Sequence, residues 1–249
     1  MGSDALQDLN LAGVRWELTE KPVTFEQKKS LPEQSLQEFP NRQNTKPIIV
    51  PPSAPVCIDT IKSMVEHTDN IDSVISIITE FNHPLRNGAT NVVLPSIAKQ
   101  SNHLLIVTDI PSTEDDLSGK ILSGTAGDLI DKMLSAIAMS RNEVSIIPLL
   151  FWRTPGGRTP TREELDLSRP FINKIIEIQK PHIIVTLGTL ATAEITQKNL
   201  ASVHGNEIQD DKGYIVVPIY HPNYLILKPS AKRDVWTALQ NVQKLLKNV

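Results

Sequence analysis

The chain has 249 residues, 21% of them charged, and a formal net charge of −3. At about 150 residues per domain this is one large domain with an appendage, long enough for a substantial core. The near-balanced charge excludes a basic or acidic tail, so any contact with a polyanion must come from local clusters. A single cysteine, Cys57, excludes an internal disulfide and a cysteine-ligated metal or iron–sulfur centre.

At the amino terminus, Met1 to Asn10 lacks the charged-then-apolar pattern of a secretory signal. No apolar run reaches the roughly 18–20 residues needed to cross a bilayer. A cytoplasmic chain with no membrane contact is expected. Residues 1–20 predict a short helix carrying Leu6, Leu9, Leu11, Val14, Trp16 and Leu18, which needs a partner surface to be stable. Residues 21–55 hold seven of the 18 prolines among Gln, Glu and Ser and read as an extended linker. The folded domain is placed at 56–249. Its first part, Cys57 to Phe81, has helical spacing in two pieces broken at Asp69-Asn70.

From His103 onward, apolar runs of strand length alternate with amphipathic windows. Strands are expected at Leu104 to Val107, Val144 to Leu150, Ile183 to Leu187 and Ile215 to Ile219. The intervening helices fall at Ala126 to Met139, at Thr161 to Gln179, and from Gly188 through about Ile195. Thr161 and Glu164 have the spacing that lets each satisfy the other's free amide. Ser230 is expected to cap a last helix carrying Val235, Trp236, Leu239, Val242 and Leu246. The alternation predicts a three-layer α/β/α fold around a mainly parallel, four-stranded sheet.

In such sheets ligands collect beyond the carboxyl ends of the strands. Four segments lie there. The first is Thr108-Asp109-Ile110-Pro111-Ser112, followed by Glu114, Asp115 and Asp116. The second runs from Trp152 to Pro160 and contains Arg153, Gly156-Gly157 and Arg158. The third is Gly188-Thr189, and the fourth runs from Tyr220 through His221 to Leu225. Each also has a plain structural reading: Asp109 as a turn residue near a proline, His221 as a restricted position before Pro222, Gly156-Gly157 as a flexible turn and Gly188 as a packing residue. There is no G-x-G-x-x-G or G-x-x-x-x-G-K motif, which disfavours a dinucleotide or nucleoside triphosphate. His67, His83, His103, His182 and His204 show no ligand spacing, so no metal is expected.

Taken in order, these segments resemble the uracil-DNA glycosylase superfamily, most closely its family 4 type. Arg153 to Phe171, R-T-P-G-G-R-T-P-T-R-E-E-L-D-L-S-R-P-F, is similar to the family's R-P-P-G-N-R-T-P-T-x-E-E-I-x-x-C-x-P-F. Tyr220 to Trp236, Y-H-P-N-Y-L-I-L-K-P-S-A-K-R-D-V-W, is similar to its H-P-[SA]-Y-L-L followed by K-R and W. Weaker similarity covers Pro84 to Val93, Gly119 to Asp131 and Pro181 to Thr192, and Leu11 to Phe25 resembles the amino-terminal helix of some members.

The resemblance implies hydrolysis of the N-glycosidic bond of a flipped uracil or related damaged base in DNA, with DNA as partner and a monomeric state. It assigns His221 to the hydrogen bond on the uracil oxygen. Asp109, in T-D-I-P-S against the family's G-E-A-P-G, falls to water positioning. Pro111 and Gly188 lie beside the substrate. Arg153, Arg158, Lys232 and Arg233 would hold phosphates, and Leu225 would be the wedge entering the duplex. The departures are specific. The four cysteines of the family's iron–sulfur cluster align with Glu80, His83, Trp152 and Ser168, so no cofactor is expected and packing must take the cluster's place. The ring that stacks on uracil aligns with Leu122 and the asparagine that reads its edge with Pro148. A catalytically impaired DNA-binding member is therefore the alternative, and a small-molecule or protein-binding domain a third.

Overall fold

A computed structural model describes residues 58–98 and 103–248. The expected amino-terminal helix, the linker and the start of the domain at 56 lie outside the described residues. Two helices come first, α1 (Ile58–Glu66) and α2 (Ile71–Glu80). The break between them falls where expected, because Asn70 caps α2 by accepting the Asp72 N–H at 2.8 Å, the capping role an asparagine side chain performs well.

The remainder builds the sheet and its cover. In chain order come β1 (Leu104–Thr108), α3 (Thr113–Ser118), α4 (Gly124–Ala136), β2 (Ser145–Pro148), α5 (Arg162–Gln179), β3 (Ile183–Leu187), α6 (Thr189–Thr196) and α7 (Leu200–Val203). Then follow β4 (Ile208–Gln209), β5 (Ile215–Ile219), α8 (Pro222–Leu227) and α9 (Lys232–Lys247). The sheet order is β2-β1-β3-β5-β4. Four strands are parallel, as expected. A fifth, β4, was not expected: its two residues pair antiparallel to β5, too short to leave a periodic signal.

The parallel strands are apolar throughout because both faces are covered. Leu105, Val107, Ile147, Ile184 and Val216 point into one core, with Ile61 of α1, Val74 and Ile78 of α2, and Leu165, Phe171 and Ile175 of α5. Leu104, Ile106, Ile146, Val185 and Val217 point into the other, with Ile130 and Leu134 of α4, Leu225 of α8, and Val235 and Leu239 of α9. Strand alternation thus produces the three layers.

Two helix boundaries differ from expectation. α4 ends at Ala136 because Ile137 tightens the last turn and Ala138 turns left-handed at φ 60°. Ser230 does not cap the last helix; it lies in a 3-10 turn, Pro229–Ala231, and α9 begins at Lys232. The start of α5 agrees in detail. The Thr161 hydroxyl accepts the Glu164 N–H at 3.2 Å, and the Glu164 carboxylate accepts the Thr161 N–H at 2.8 Å.

Candidate active site

Three neighbouring strands end together. Register pairs Thr108 with Leu187 and Leu187 with Ile219. The residues that follow, Asp109, Gly188 and Tyr220-His221, therefore emerge side by side at the carboxyl edge of the sheet. Long-range ladder bonds continue one step beyond the strands, from the Asp109 N–H to the Leu187 carbonyl at 3.3 Å and from the Gly188 N–H to the Ile219 carbonyl at 3.0 Å.

Asp109 turns its carboxylate onto the first turn of α6, where one oxygen accepts the Ala191 N–H at 2.6 Å. Burial disfavours its charge and pushes its pKa up to about 6, against the opposing pull of the Ala191 and Leu190 N–H groups. Gly188 makes this approach possible. It sits at φ 104°, and a β-carbon there would lie 2.2 Å from the second Asp109 oxygen. Gly188→Ala is expected to destabilise the fold by about 1–3 kcal/mol, from the forbidden backbone region and the clash together. A lowered midpoint in urea unfolding checks this.

His221 is the N-cap of α8. Its Nδ1 accepts the Asn223 N–H at 3.1 Å, so the proton of the neutral ring is on Nε2, which faces the Thr108 hydroxyl oxygen at 3.1 Å. Burial lowers its pKa to about 4, with the Asp115 carboxylate opposing. The ring is therefore a neutral Nε2–H donor at ordinary pH. Asp115 is itself held by the N–H and hydroxyl of Ser123 and by the capping box with Ser112. Asp116 accepts the N–H groups of Thr90 and Asn91.

Asp109, Gly188, Asn199, Tyr220, His221 and Tyr224 share one cavity of about 330 Å³, within the range of small-ligand sites. A larger groove of about 760 Å³ runs between α1 and α5. Its arginines are engaged in ion pairs, Arg162 with Asp166 and Glu194, and Arg169 with Glu194, so size alone does not locate the chemistry. Arg153 does not line the Asp109–His221 cavity. Leu122 and Pro148 do not line it either. Leu122 is buried against α4 at φ 49°, and Pro148 ends β2 opposite Thr108. Pro111 is buried just before the Ser112 cap of α3.

Two sequence expectations are corrected. Leu225 is only 1% exposed and belongs to the core under α8, so it cannot enter a duplex. Leu227, two residues on at the end of α8, is 85% exposed, because two residues of helix carry a side chain to nearly the opposite face. Arg158 is not a free cation, since both ends of its guanidinium bind the Glu164 carboxylate, at 2.9 and 2.5 Å. That fork pins the 153–160 turn to the start of α5. Lys232 and Arg233 stand exposed on the first turn of α9. No role for Thr108 is legible in the sequence because its partner is remote, and nothing there singles out Asn199. Thr108 meets a histidine 113 positions away, and no local pattern encodes that contact.

The residues at the four cluster positions do not fit an iron–sulfur group. His83 stacks on Trp152 at 4.7 Å and 9°, and Trp152 also meets Phe81 and Phe151. The His83 ring accepts the Leu85 N–H and bonds the Glu164 carbonyl, and burial lowers its pKa. Glu80 points to solvent. Among the described residues the buried Trp152 Nε1 and Ser168 hydroxyl have no hydrogen-bond partner, and neither group supplies a thiolate. Among the described residues no group of three or more His, Cys, Asp or Glu side chains could hold a metal ion, and no helix is long and apolar enough to cross a membrane.

Comparison with known proteins agrees with this geometry. Residues 95–242 match the family model described as the uracil DNA glycosylase superfamily. The chain is 28% identical over 172 residues to the type-4 uracil-DNA glycosylase of Archaeoglobus fulgidus, covering 65% of this chain and 85% of that protein. It is 31% identical over 169 residues to the type-4 enzyme of Thermotoga maritima, covering 66% and 88%. Against that of Saccharolobus solfataricus it is 27% identical over 163 residues, covering 61% and 76%. A match over more than half the chain, joined to strand ends that bring Asp109 and His221 into one cavity, makes this chain a member of the uracil DNA glycosylase superfamily.

Proposed function

We propose that the protein hydrolyses the N-glycosidic bond of a damaged base, uracil or a related one, extruded from DNA. The observation that carries this reading is the shared cavity of Asp109 and His221. An extruded base needs a pocket and a means of stabilising charge on both halves of the breaking bond. As the bond between C1′ and the base nitrogen lengthens, the electron pair leaves with the base. The neutral His221 ring donates its Nε2–H to the base oxygen where negative charge grows, which requires that oxygen to displace the Thr108 hydroxyl from its 3.1 Å contact. Asp109 as carboxylate faces the positive sugar and takes the proton of the water that adds to C1′.

Arg153, Lys232 and Arg233 supply local positive charge for phosphates. Leu227, exposed at the carboxyl end of α8, is the wedge in place of Leu225. The experiment is free-base release from single-stranded and mismatched oligonucleotides carrying uracil, hypoxanthine or xanthine. His221→Ala is expected to lower release by about 10²–10³-fold, the loss typical of a donor aimed at developing charge.

A second reading, a DNA-binding member without base release, draws on one observation. The His221 donor already has a partner in Thr108, and the positions aligned with the family's base readers are the buried Leu122 and Pro148. Salt-dependent DNA binding with no release from any of the three substrates would select it.

A further inference from the structure

At the amino edge of the sheet, opposite the Asp109–His221 cavity, two histidines meet. His103 immediately precedes β1 and His182 immediately precedes β3, and the register that pairs Leu104 with Ile183 sets them side by side. Their backbones are tied in place. The His182 and Ile183 N–H groups both donate to the His103 carbonyl at 2.9 Å, and the Ile215 N–H donates to the His182 carbonyl at 2.9 Å. His103 holds a left-handed backbone at φ 66°, a region most side-chain-bearing residues avoid. Both residues are exposed. The rings approach by their Nδ1 atoms, which are 2.7 Å apart, while the ring centroids are 4.5 Å apart and the planes inclined at 67°. A separation of 79 positions in the chain hides this pair from any motif of closely spaced ligands.

We propose that His103 and His182 form a two-histidine site for a divalent transition-metal ion that takes its ligands at right angles, copper(II) or nickel(II). A neutral imidazole carries one proton, so with those protons on Nε2 the two Nδ1 lone pairs face one gap. Imidazole nitrogen is a preferred ligand of both ions. At metal–nitrogen distances of about 2.0–2.1 Å, ligands at right angles stand about 2.8–3.0 Å apart and tetrahedral ones about 3.3 Å. The observed 2.7 Å is closer to the first spacing, and a small rotation of two exposed rings makes up the difference. Strand pairing has already fixed both backbones, so the ion meets a site that is largely built. Only two protein ligands are supplied, so water completes the shell. The bound ion bridges β1 to β3 about 20 Å along the strand from Asp109. Its effect therefore falls on stability, and the proposal stands independently of the hydrolase reading.

The test titrates the full-length protein with nickel(II) by calorimetry, and with substoichiometric copper(II) while backbone amide signals are followed. His103→Asn suits the left-handed backbone, which asparagine tolerates, and His182→Gln keeps a polar side chain. Each should weaken nickel(II) binding by roughly tenfold or more, since even a hydrogen bond supporting a metal ligand is worth that much. The double variant should lose no more than either single one, because a chelating pair acts as a unit. Nickel(II) should raise the thermal midpoint of the wild type and leave that of the variants unchanged. Copper(II), being paramagnetic, should broaden the wild-type amide signals of Leu104 and Ile183 before those of Asp109 and His221, a readout that needs no variant. A wild type that binds no nickel(II), single variants that bind it as tightly as the wild type, or broadening that begins away from the starts of β1 and β3 would overturn the proposal.

Discussion

Asp109→Asn is expected to lower base release by about 10²–10⁴-fold, the contribution of a positioned general base, while leaving the protein folded. The replacement amide keeps an oxygen for the Ala191 N–H, so the α6 contact survives and only the charge and basicity are removed. The pH dependence gives a sharper reading. Release by the wild type should rise with pH through about 6, where the buried Asp109 carboxyl ionises. His221 cannot be the source of that limb. Its pKa near 4 leaves it neutral over the same range, and losing a proton below pH 5 would not switch activity on at 6. A profile flat from pH 5 to 8 would remove Asp109 from the reaction.

The same shift carries a stability signature with a definite sign. Asp109 has a folded pKa of about 6, above its ordinary 3.8. The unfolded chain therefore ionises first, and folding stability falls as pH rises from about 4 through 6. Asp109→Asn removes that loss, so the variant should equal or exceed the wild type in urea midpoint at pH 8 and gain nothing at pH 4. Function at the expense of stability is the usual mark of a working group held in an unfavourable place.

Trp152→Ala is the second large effect, and it falls on stability. Trp152 is fully buried between His83, Phe81 and Phe151, at a position where the family resemblance places a cluster ligand. Removing the indole should cost about 3–5 kcal/mol, the range for emptying a large aromatic from a core. Trp152→Phe should lose less, since it keeps most of the packing and abolishes an Nε1 that has no partner among the described residues. Both are read from urea unfolding at fixed pH. A loss under 1 kcal/mol for Trp152→Ala would mean that the stack with His83 does not hold this corner together. At a temperature where the variant remains folded, its pH midpoint for base release should stay near 6, because Trp152 packs in the core on the opposite face of the sheet from the layer beneath α8 and α9.

The layered fold was legible in the residues because its causes are local. Val, Ile and Leu runs of strand length such as Leu104 to Val107 and Ile183 to Leu187, alternating with amphipathic windows, point to strands buried on both faces, and they are. The break at Asn70 and the reciprocal cap of Thr161 and Glu164 are short-range hydrogen bonds written in neighbouring side chains. Those strands also place Asp109, Gly188 and His221 beyond their carboxyl ends, and parallel pairing then makes them neighbours. What local patterns could not carry was decided by contacts between distant segments. The Thr108 hydroxyl on His221, Arg158 turned inward to Glu164, and Leu225 packed beneath α8 while Leu227 stands in solvent all depend on how the strand ends and helices meet in space. A motif names which side chains are available. Only the packed chain determines which of their donors, acceptors and faces are already taken, and it is the untaken ones that meet a substrate.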